Sequence, residues 1–234
     1  MRYTLIIAVF AALCVTASAQ SESRDQVMNQ IEAKRTELSA LEAKLLAPSD
    51  EDQAAYAEFL KQPDTGLVRL LPRETYDKDK KLTIRGGGAY YSFTRRTHEY
   101  GFGTQIGLEQ DSFSVTFAGA DYGMLARVGD VPLSAINLEN PALNFLASYE
   151  AVVEEPQARS EYRRFANGIK VGDIFYKTHL PAIINNTYIL RGIHYSDSDV
   201  LVAFRVVQKD SDDSVIILWK LLKKYPKPEL ARAN

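Results

Sequence analysis

The chain has 234 residues, of which 46% are hydrophobic and 25% are charged, and its formal net charge is -2. This composition is that of an ordinary globular protein and argues against a nucleic-acid-binding domain, which carries a strongly basic surface. After residue 19 no apolar run approaches the length of about 20 residues that a transmembrane helix needs. We therefore expect no nucleic-acid partner and no transmembrane segment in the mature chain.

The first 19 residues have the pattern of a cleavable secretory signal peptide. Arg2 precedes an apolar run over residues 5–15, and Ala17-Ser18-Ala19 forms a small-residue cleavage site. The run of roughly 11 residues suits a signal peptide and is too short to cross a bilayer. We therefore expect residues 1–19 to be removed on export to the periplasm or the extracellular space.

Cys14, the chain's single cysteine, lies within this segment. The bulky Leu13 before it is wrong for a lipid-attachment site, so we expect Cys14 to leave with the signal peptide. The mature chain is then free of cysteine, which excludes disulfides and thiolate metal sites. A mature chain without cysteine, together with the short signal peptide, points to a bacterial envelope or secreted protein.

Residues 20–66 are predicted to be a helical segment. Residues 24–46 contain no glycine or proline and are rich in strong helix formers. Their apolar residues follow a heptad pattern that Lys34 interrupts, at Val27, Ile31, Leu38, Leu41 and Leu45. One helix cannot bury this stripe alone. It would pack in an antiparallel hairpin on a second helix over residues 50–62, or pair between chains as a short coiled coil.

Residues 67–228 are predicted to form a β-rich α+β domain, followed by a loose tail at 229–234. Residues 112–118 alternate between apolar and polar side chains, which indicates a strand that pairs with residues 106–108 in a hairpin. Helices are expected after Asn140-Pro141 and over residues 157–167. Strands over 187–195, 200–208 and 215–222 are predicted to form an antiparallel meander with helices covering one face.

No motif identifies a catalytic, metal or cofactor site. Gly86-Gly87-Gly88 is followed by a strand-like sequence and lacks the lysine of a phosphate-binding loop, so it predicts a bulge or a close backbone approach. The histidines, His98, His179 and His194, have no metal-ligand spacing. The acidic residues at 197–199 and 210–213 are interpreted as solubilising turns. We accordingly expect no metal and no cofactor, and no catalytic residue is assigned.

A stretch that mixes aromatic and basic side chains is the best candidate binding site. It could provide a platform for a sugar, a peptide or an apolar ligand, although part of it must belong to the core. The candidate residues are Tyr91, Phe93, Arg95, Arg96, His98, Glu99 and Tyr100.

Three functional hypotheses follow. The first is an exported, non-enzymatic binding or structural module of the envelope, with an N-terminal helix that mediates pairing or tethering. The second is an envelope hydrolase or carbohydrate-active enzyme with an acid–base site at His98 and Glu99. The third is a carrier of small apolar ligands, with a cavity between the sheet and the helices of residues 140–167.

Overall fold

The computed structural model describes residues 23–77, 80–98, 100–101, 103–115 and 119–231, so the predicted signal peptide lies outside the described ranges. The helices are α1 (Arg24–Leu46), α2 (Asp50–Ala55), α3 (Ala57–Leu60), α4 (Arg73–Tyr76), α5 (Asn144–Ser148) and α6 (Glu155–Asn167), with 3₁₀ turns at Leu133–Ala135 and Pro141–Leu143. The strands are β1 (Thr65–Leu70), β2 (Tyr90–Tyr91), β3 (Ile106–Glu109), β4 (Ser112–Ser114), β5 (Tyr122–Gly129), β6 (Ile169–Val171), β7 (Ile174–Lys177), β8 (His179–Pro181), β9 (Thr187–His194), β10 (Ser198–Lys209) and β11 (Val215–Lys224). Over the described part of the chain, no helix has the length and apolar character needed to cross a membrane.

The predicted first helix is confirmed as α1, over residues 24–46. The chain divides into two units, residues 1–38 and 39–234, and α1 contributes to both. The apolar heptad residues are exposed, with between 39% and 57% of each side chain accessible: Val27, Ile31, Leu38, Leu41 and Leu45. We call these five residues the heptad stripe.

Of the two alternatives for the heptad residues, the antiparallel helical hairpin is wrong, because Leu41 and Leu45, in the same unit as α2 and α3, are 57% and 43% exposed. The expected second helix is two short helices, α2 and α3. The capping box that starts α2 is confirmed, because the Ser49 hydroxyl accepts the N–H of Asp52 and the Asp52 carboxylate accepts the N–H of Ser49. Tyr56, Phe59 and Leu60 pack against the core beneath the large sheet.

Two antiparallel sheets form the body of residues 39–234. The larger sheet has seven strands in the order β1-β11-β10-β9-β5-β7-β6, and the smaller has four in the order β2-β3-β4-β8. The predicted meander is confirmed as β9-β10-β11, and the predicted hairpin is confirmed as β3-β4. β1 joins the meander from far away in the chain, with Thr65 opposite Lys220.

The expected α+β fold class is wrong, because the structure is mixed but dominated by β-structure. One face of the seven-stranded sheet shares a core cluster with the smaller sheet, including Phe113 of β4 and Phe204 of β10, whose rings meet edge to face at 5.0 Å. The opposite face is covered by α5, α6 and the 3₁₀ turns. Helices were expected to cover a single meander. The sequence predicts the β3-β4 hairpin but not the second sheet to which it belongs, because the two outer strands, β2 and β8, are only two and three residues long, too short for a clear alternation pattern.

The predicted start of the first covering helix and the predicted end of the second are confirmed. The Asn140 side chain accepts the N–H of Ala142 and starts a 3₁₀ turn that continues into α5. α6 ends at Gly168, whose φ of +87° glycine adopts more readily than any residue with a side chain. Its Phe165 is fully buried and stacks on Tyr122 of β5 at 6.3 Å.

Candidate functional site

A groove of about 680 Å³ lies in the unit formed by residues 39–234. Its walls come from the end of α1, from β1 and from two loop segments that lead into and out of β2. The lining residues of α1 and its C-terminal extension are Ser39, Glu42, Ala43, Leu46, Ala47 and Pro48. The remaining lining residues are Leu67, Val68, Thr83, Ile84, Arg85, Tyr91, Arg96, Thr97 and His98.

A buried carboxylate holds the end of α1 beside this groove. Glu42 is only 6% exposed, and its carboxylate accepts both the main-chain N–H and the hydroxyl of Thr83. Hydrogen bonds to an ionised acceptor are stronger than neutral ones. One helical turn further on, Leu46 is buried against Gly88, where a Cβ would lie 2.4 Å from a Leu46 methyl group. These contacts position the α1 wall of the groove.

The three-glycine turn places Ile84 and Arg85 at the groove. All three glycines have positive φ, and Gly87, at +60°, lies against another backbone segment. A Cβ on Gly87 would be 2.6 Å from the main-chain nitrogen of Asp77. The close backbone approach predicted for this motif is therefore confirmed.

Tyr91 lies between the groove and the core. It is 7% exposed, and its ring meets the rings of Phe93 and His98 edge to face at 5.5 and 5.2 Å. Burial raises the pKa of the Tyr91 hydroxyl to about 12, against a smaller opposing effect of the Arg96 charge. The phenol is therefore neutral at physiological pH and can donate a hydrogen bond.

His98 is held by the backbone of β1. Its Nε2 lies 2.7 Å from the carbonyl oxygen of Arg69. Because a carbonyl only accepts, Nε2 carries a proton and Nδ1 of the neutral ring is an acceptor. Burial lowers the pKa of His98 from its ordinary value, and the bond to Arg69 opposes this. Glu99 lies outside the described residues, so the His98–Glu99 pair stays a prediction.

Two exposed arginines give the groove a basic rim. The Arg96 guanidinium lies 5.5 Å from the centre of the Trp219 ring and 3.8 Å from the carboxylate of Asp64, in a pair more than half exposed on both sides. Arg85 lies over the ring of Tyr100 at 5.2 Å. Cation–π contacts orient both groups, whereas an exposed ion pair contributes little.

The structure brings three of the seven predicted site residues to the groove, namely Tyr91, Arg96 and His98. Phe93 is buried in the core between the sheets, and Tyr100 packs on Tyr90 at 4.6 Å. Arg95 pairs with Asp197 and lines a separate cavity of about 360 Å³. The chain reverses between Ser92 and Thr97, which are bridged, and this turn sends the neighbouring arginines to different sites.

Sequence reasoning missed the other walls of the groove. Glu42, Ala43 and Leu46 belong to a helix that was interpreted by its heptad pattern alone. Leu67 and Val68 lie on a strand whose partner is about 150 residues away. No local sequence pattern relates these segments, so the sequence does not predict that they come together to form a groove.

Carboxylates in the acidic turns bind side chains of this chain. The contacts are Asp197 with Arg95, Asp199 with Arg191, Asp210 with Arg69 and Asp212 with Tyr76. Among the described residues, no three His, Cys, Asp or Glu side chains are grouped so that they could hold a metal ion.

No protein-family model, curated protein or solved structure matches this chain. The groove and the exposed face of α1 are therefore the features that point to a function.

Proposed function

We propose that this is an exported, non-enzymatic binding module whose ligand site is the groove beside β1. The observation that carries the proposal is the groove itself, with its apolar walls and a few converging polar groups. Its volume is within the range of about 300–1,000 Å³ that is typical of ligand sites, and its lining has their usual composition. Leu46, Leu67, Val68 and Tyr91 supply apolar surface, while Arg85, Arg96 and His98 supply polar contacts.

The charges favour a ligand with an apolar body and an acidic group. Arg85 and Arg96 offer guanidinium donors that suit a carboxylate or phosphate. Both carboxylate oxygens of Glu42 already accept hydrogen bonds from Thr83, so this side chain is engaged within the chain. A neutral His98 adds an acceptor at Nδ1.

Binding is favoured over catalysis by the environment of His98. Its Nε2 proton is bonded to a main-chain carbonyl, so this nitrogen is engaged within the chain. A general acid–base histidine keeps a proton-transfer atom within hydrogen-bond reach of the substrate. The space between the sheet and the helices of residues 140–167 holds the buried Leu143, Leu146 and Phe165, which favours the groove over an internal void.

Fluorine NMR of the full chain with fluorinated aromatic carboxylates tests this proposal. Ala43 is an exposed residue of the groove wall, so Ala43→Phe fills the groove without entering the core. Ala40 is exposed on the same helix and does not line the groove, so Ala40→Phe is the matched control. We expect the probes to bind the parent and the control and to lose binding to Ala43→Phe. Equal binding to both variants, or no binding to the parent, would refute the proposal.

We also propose that the heptad stripe pairs two copies of the chain. Its residues are exposed, and they extend over roughly 27 Å of helix at 1.5 Å per residue. Lys34, which interrupts the pattern, pairs with Glu37 at 2.8 Å on its own helix. The Lys34 ammonium group therefore lies beside Glu37, and the methylene groups of Lys34 can extend the apolar surface.

Sedimentation velocity tests the pairing. Leu38→Glu puts a charge in the centre of the stripe and should shift a concentration-dependent dimer to monomer. Ala40→Glu adds the same charge on another face of the helix and should leave the dimer unchanged. A parent chain that stays monomeric at high concentration would contradict the pairing, as would equal behaviour of the two variants.

A further inference from the structure

One of the two edges of the seven-stranded sheet, strand β1, lies at the groove. β1 is an edge strand, paired on one side with β11. The register pairs Thr65 with Lys220, and one residue beyond this pair Leu221 donates its N–H to the Asp64 carbonyl at 2.8 Å. Hydrogen-bonded and non-hydrogen-bonded pairs alternate along an antiparallel ladder. The main-chain groups of Leu67 and Arg69 therefore point away from β11, toward the free edge.

Two contacts close one end of this edge. His98 donates to the carbonyl of Arg69, and Leu71 donates its N–H to the carbonyl of Gly88 at 3.2 Å. Both contacts confirm the alternation, because they engage outward-facing groups of odd-numbered residues. The N–H and carbonyl of Leu67 and the N–H of Arg69 are left without a main-chain partner among the described residues. Leu67 is also a lining residue of the groove.

We infer that the ligand of the groove is an extended, acidic polypeptide segment that adds to β1 as a further strand. This inference rests on the proposed function and specifies its ligand. An unpaired strand edge is a template for another chain, and strand addition draws affinity from main-chain hydrogen bonds and selectivity from alternate side chains. The outward groups of Leu67 provide one donor and one acceptor for such a chain.

The walls of the groove set the composition of the segment. Successive side chains of an extended strand point to opposite sides. Leu46, Val68 and Tyr91 give the groove apolar surface, so we expect the residues on one side of the segment to be apolar. Arg85 and Arg96 attract carboxylates of the segment. These carboxylates belong to side chains that alternate with the apolar ones, or to the end of the segment.

The test begins with selection of random linear peptides displayed on phage against the full chain. We expect the selected peptides to contain acidic residues and alternating apolar residues, and to lose binding to Ala43→Phe but not to Ala40→Phe. A selected peptide is then synthesised with single N-methyl groups at each position. Methylation of the N–H that faces the Leu67 carbonyl should weaken binding about five- to tenfold, because it removes a hydrogen bond to β1, and the two neighbouring positions, whose N–H groups face away from β1, should tolerate it.

A substitution in β1 tests the same bonds from the protein side. Leu67→Pro removes the outward N–H without removing a hydrogen bond to β11. It should lower the affinity for the peptide by about the same factor. Leu67→Ile keeps the N–H and is the matched control. Binding of the fluorinated carboxylates shows whether the groove of each variant is intact.

These outcomes separate the two proposals. If the carboxylate probes bind at the groove but no peptide does, strand addition is refuted and the proposed function stands. The same holds if a groove-bound peptide ignores both N-methylation and Leu67→Pro. If neither peptides nor probes respond to Ala43→Phe, the proposed function itself is refuted. Sensitivity to N-methylation at one position flanked by two tolerant positions, together with weakening by Leu67→Pro, supports strand addition.

Discussion

Replacement of Gly87 by alanine tests how the three-glycine turn is built. The φ of +60° places this residue in the left-handed region, which costs an L-residue roughly 1–2 kcal/mol. The added Cβ would lie 2.6 Å from the Asp77 nitrogen and 2.8 Å from the Tyr76 carbonyl carbon. Both atoms belong to the backbone, so relief requires a shift of one segment, at the overpacking cost of about 1–3 kcal/mol. We expect Gly87→Ala to lower the free energy of unfolding by about 2–5 kcal/mol.

Gly172→Ala is the control that separates the two contributions. Gly172 has nearly the same φ, +59°, but a Cβ there has no neighbour within 4 Å. It should therefore show only the conformational cost of roughly 1–2 kcal/mol. Urea unfolding of the full chain measures both variants, with the slope m checked for constancy. Equal losses of stability for the two variants would refute the close-approach argument.

Two further predictions concern buried charge and titration. The pKa of His98 is lowered from 6.5 in the folded chain, so the unfolded chain binds the proton more readily. The free energy of unfolding should therefore fall as the pH drops below about 6.5. The midpoint of urea unfolding should fall less over this range for His98→Gln, whose amide can keep the bond to Arg69. A parallel pH dependence in the parent and the variant would contradict this prediction. Arg191 and Asp199 form a buried ion pair, 1% and 4% exposed, so Asp199→Leu alone should destabilise by about 3–5 kcal/mol, because it leaves a buried charge unpaired. The double variant Arg191→Met/Asp199→Leu should recover a large part of that loss in urea unfolding, and additive losses would contradict the prediction.

The parts of the fold that were predicted depend on short stretches of sequence. α1 follows from uninterrupted helix formers, and the start of α2 follows from the Ser49–Asp52 capping box. β9, β10 and β11 follow from long apolar runs joined by short polar turns. For the candidate site, the aromatic and basic composition of residues 90–100 pointed to Tyr91, Arg96 and His98.

The sequence by itself determined these local elements, because capping, helix propensity and strand alternation act between residues that are neighbours in the chain. Only the tertiary structure decided that β1 pairs with β11, that a second sheet covers the core, and that the end of α1 lines a groove with β1 and His98. Each of these arrangements joins segments that are far apart in the chain. Their partners are selected by the burial of whole faces and by main-chain hydrogen bonding, which is the same for nearly every residue type and so leaves no local mark in the sequence.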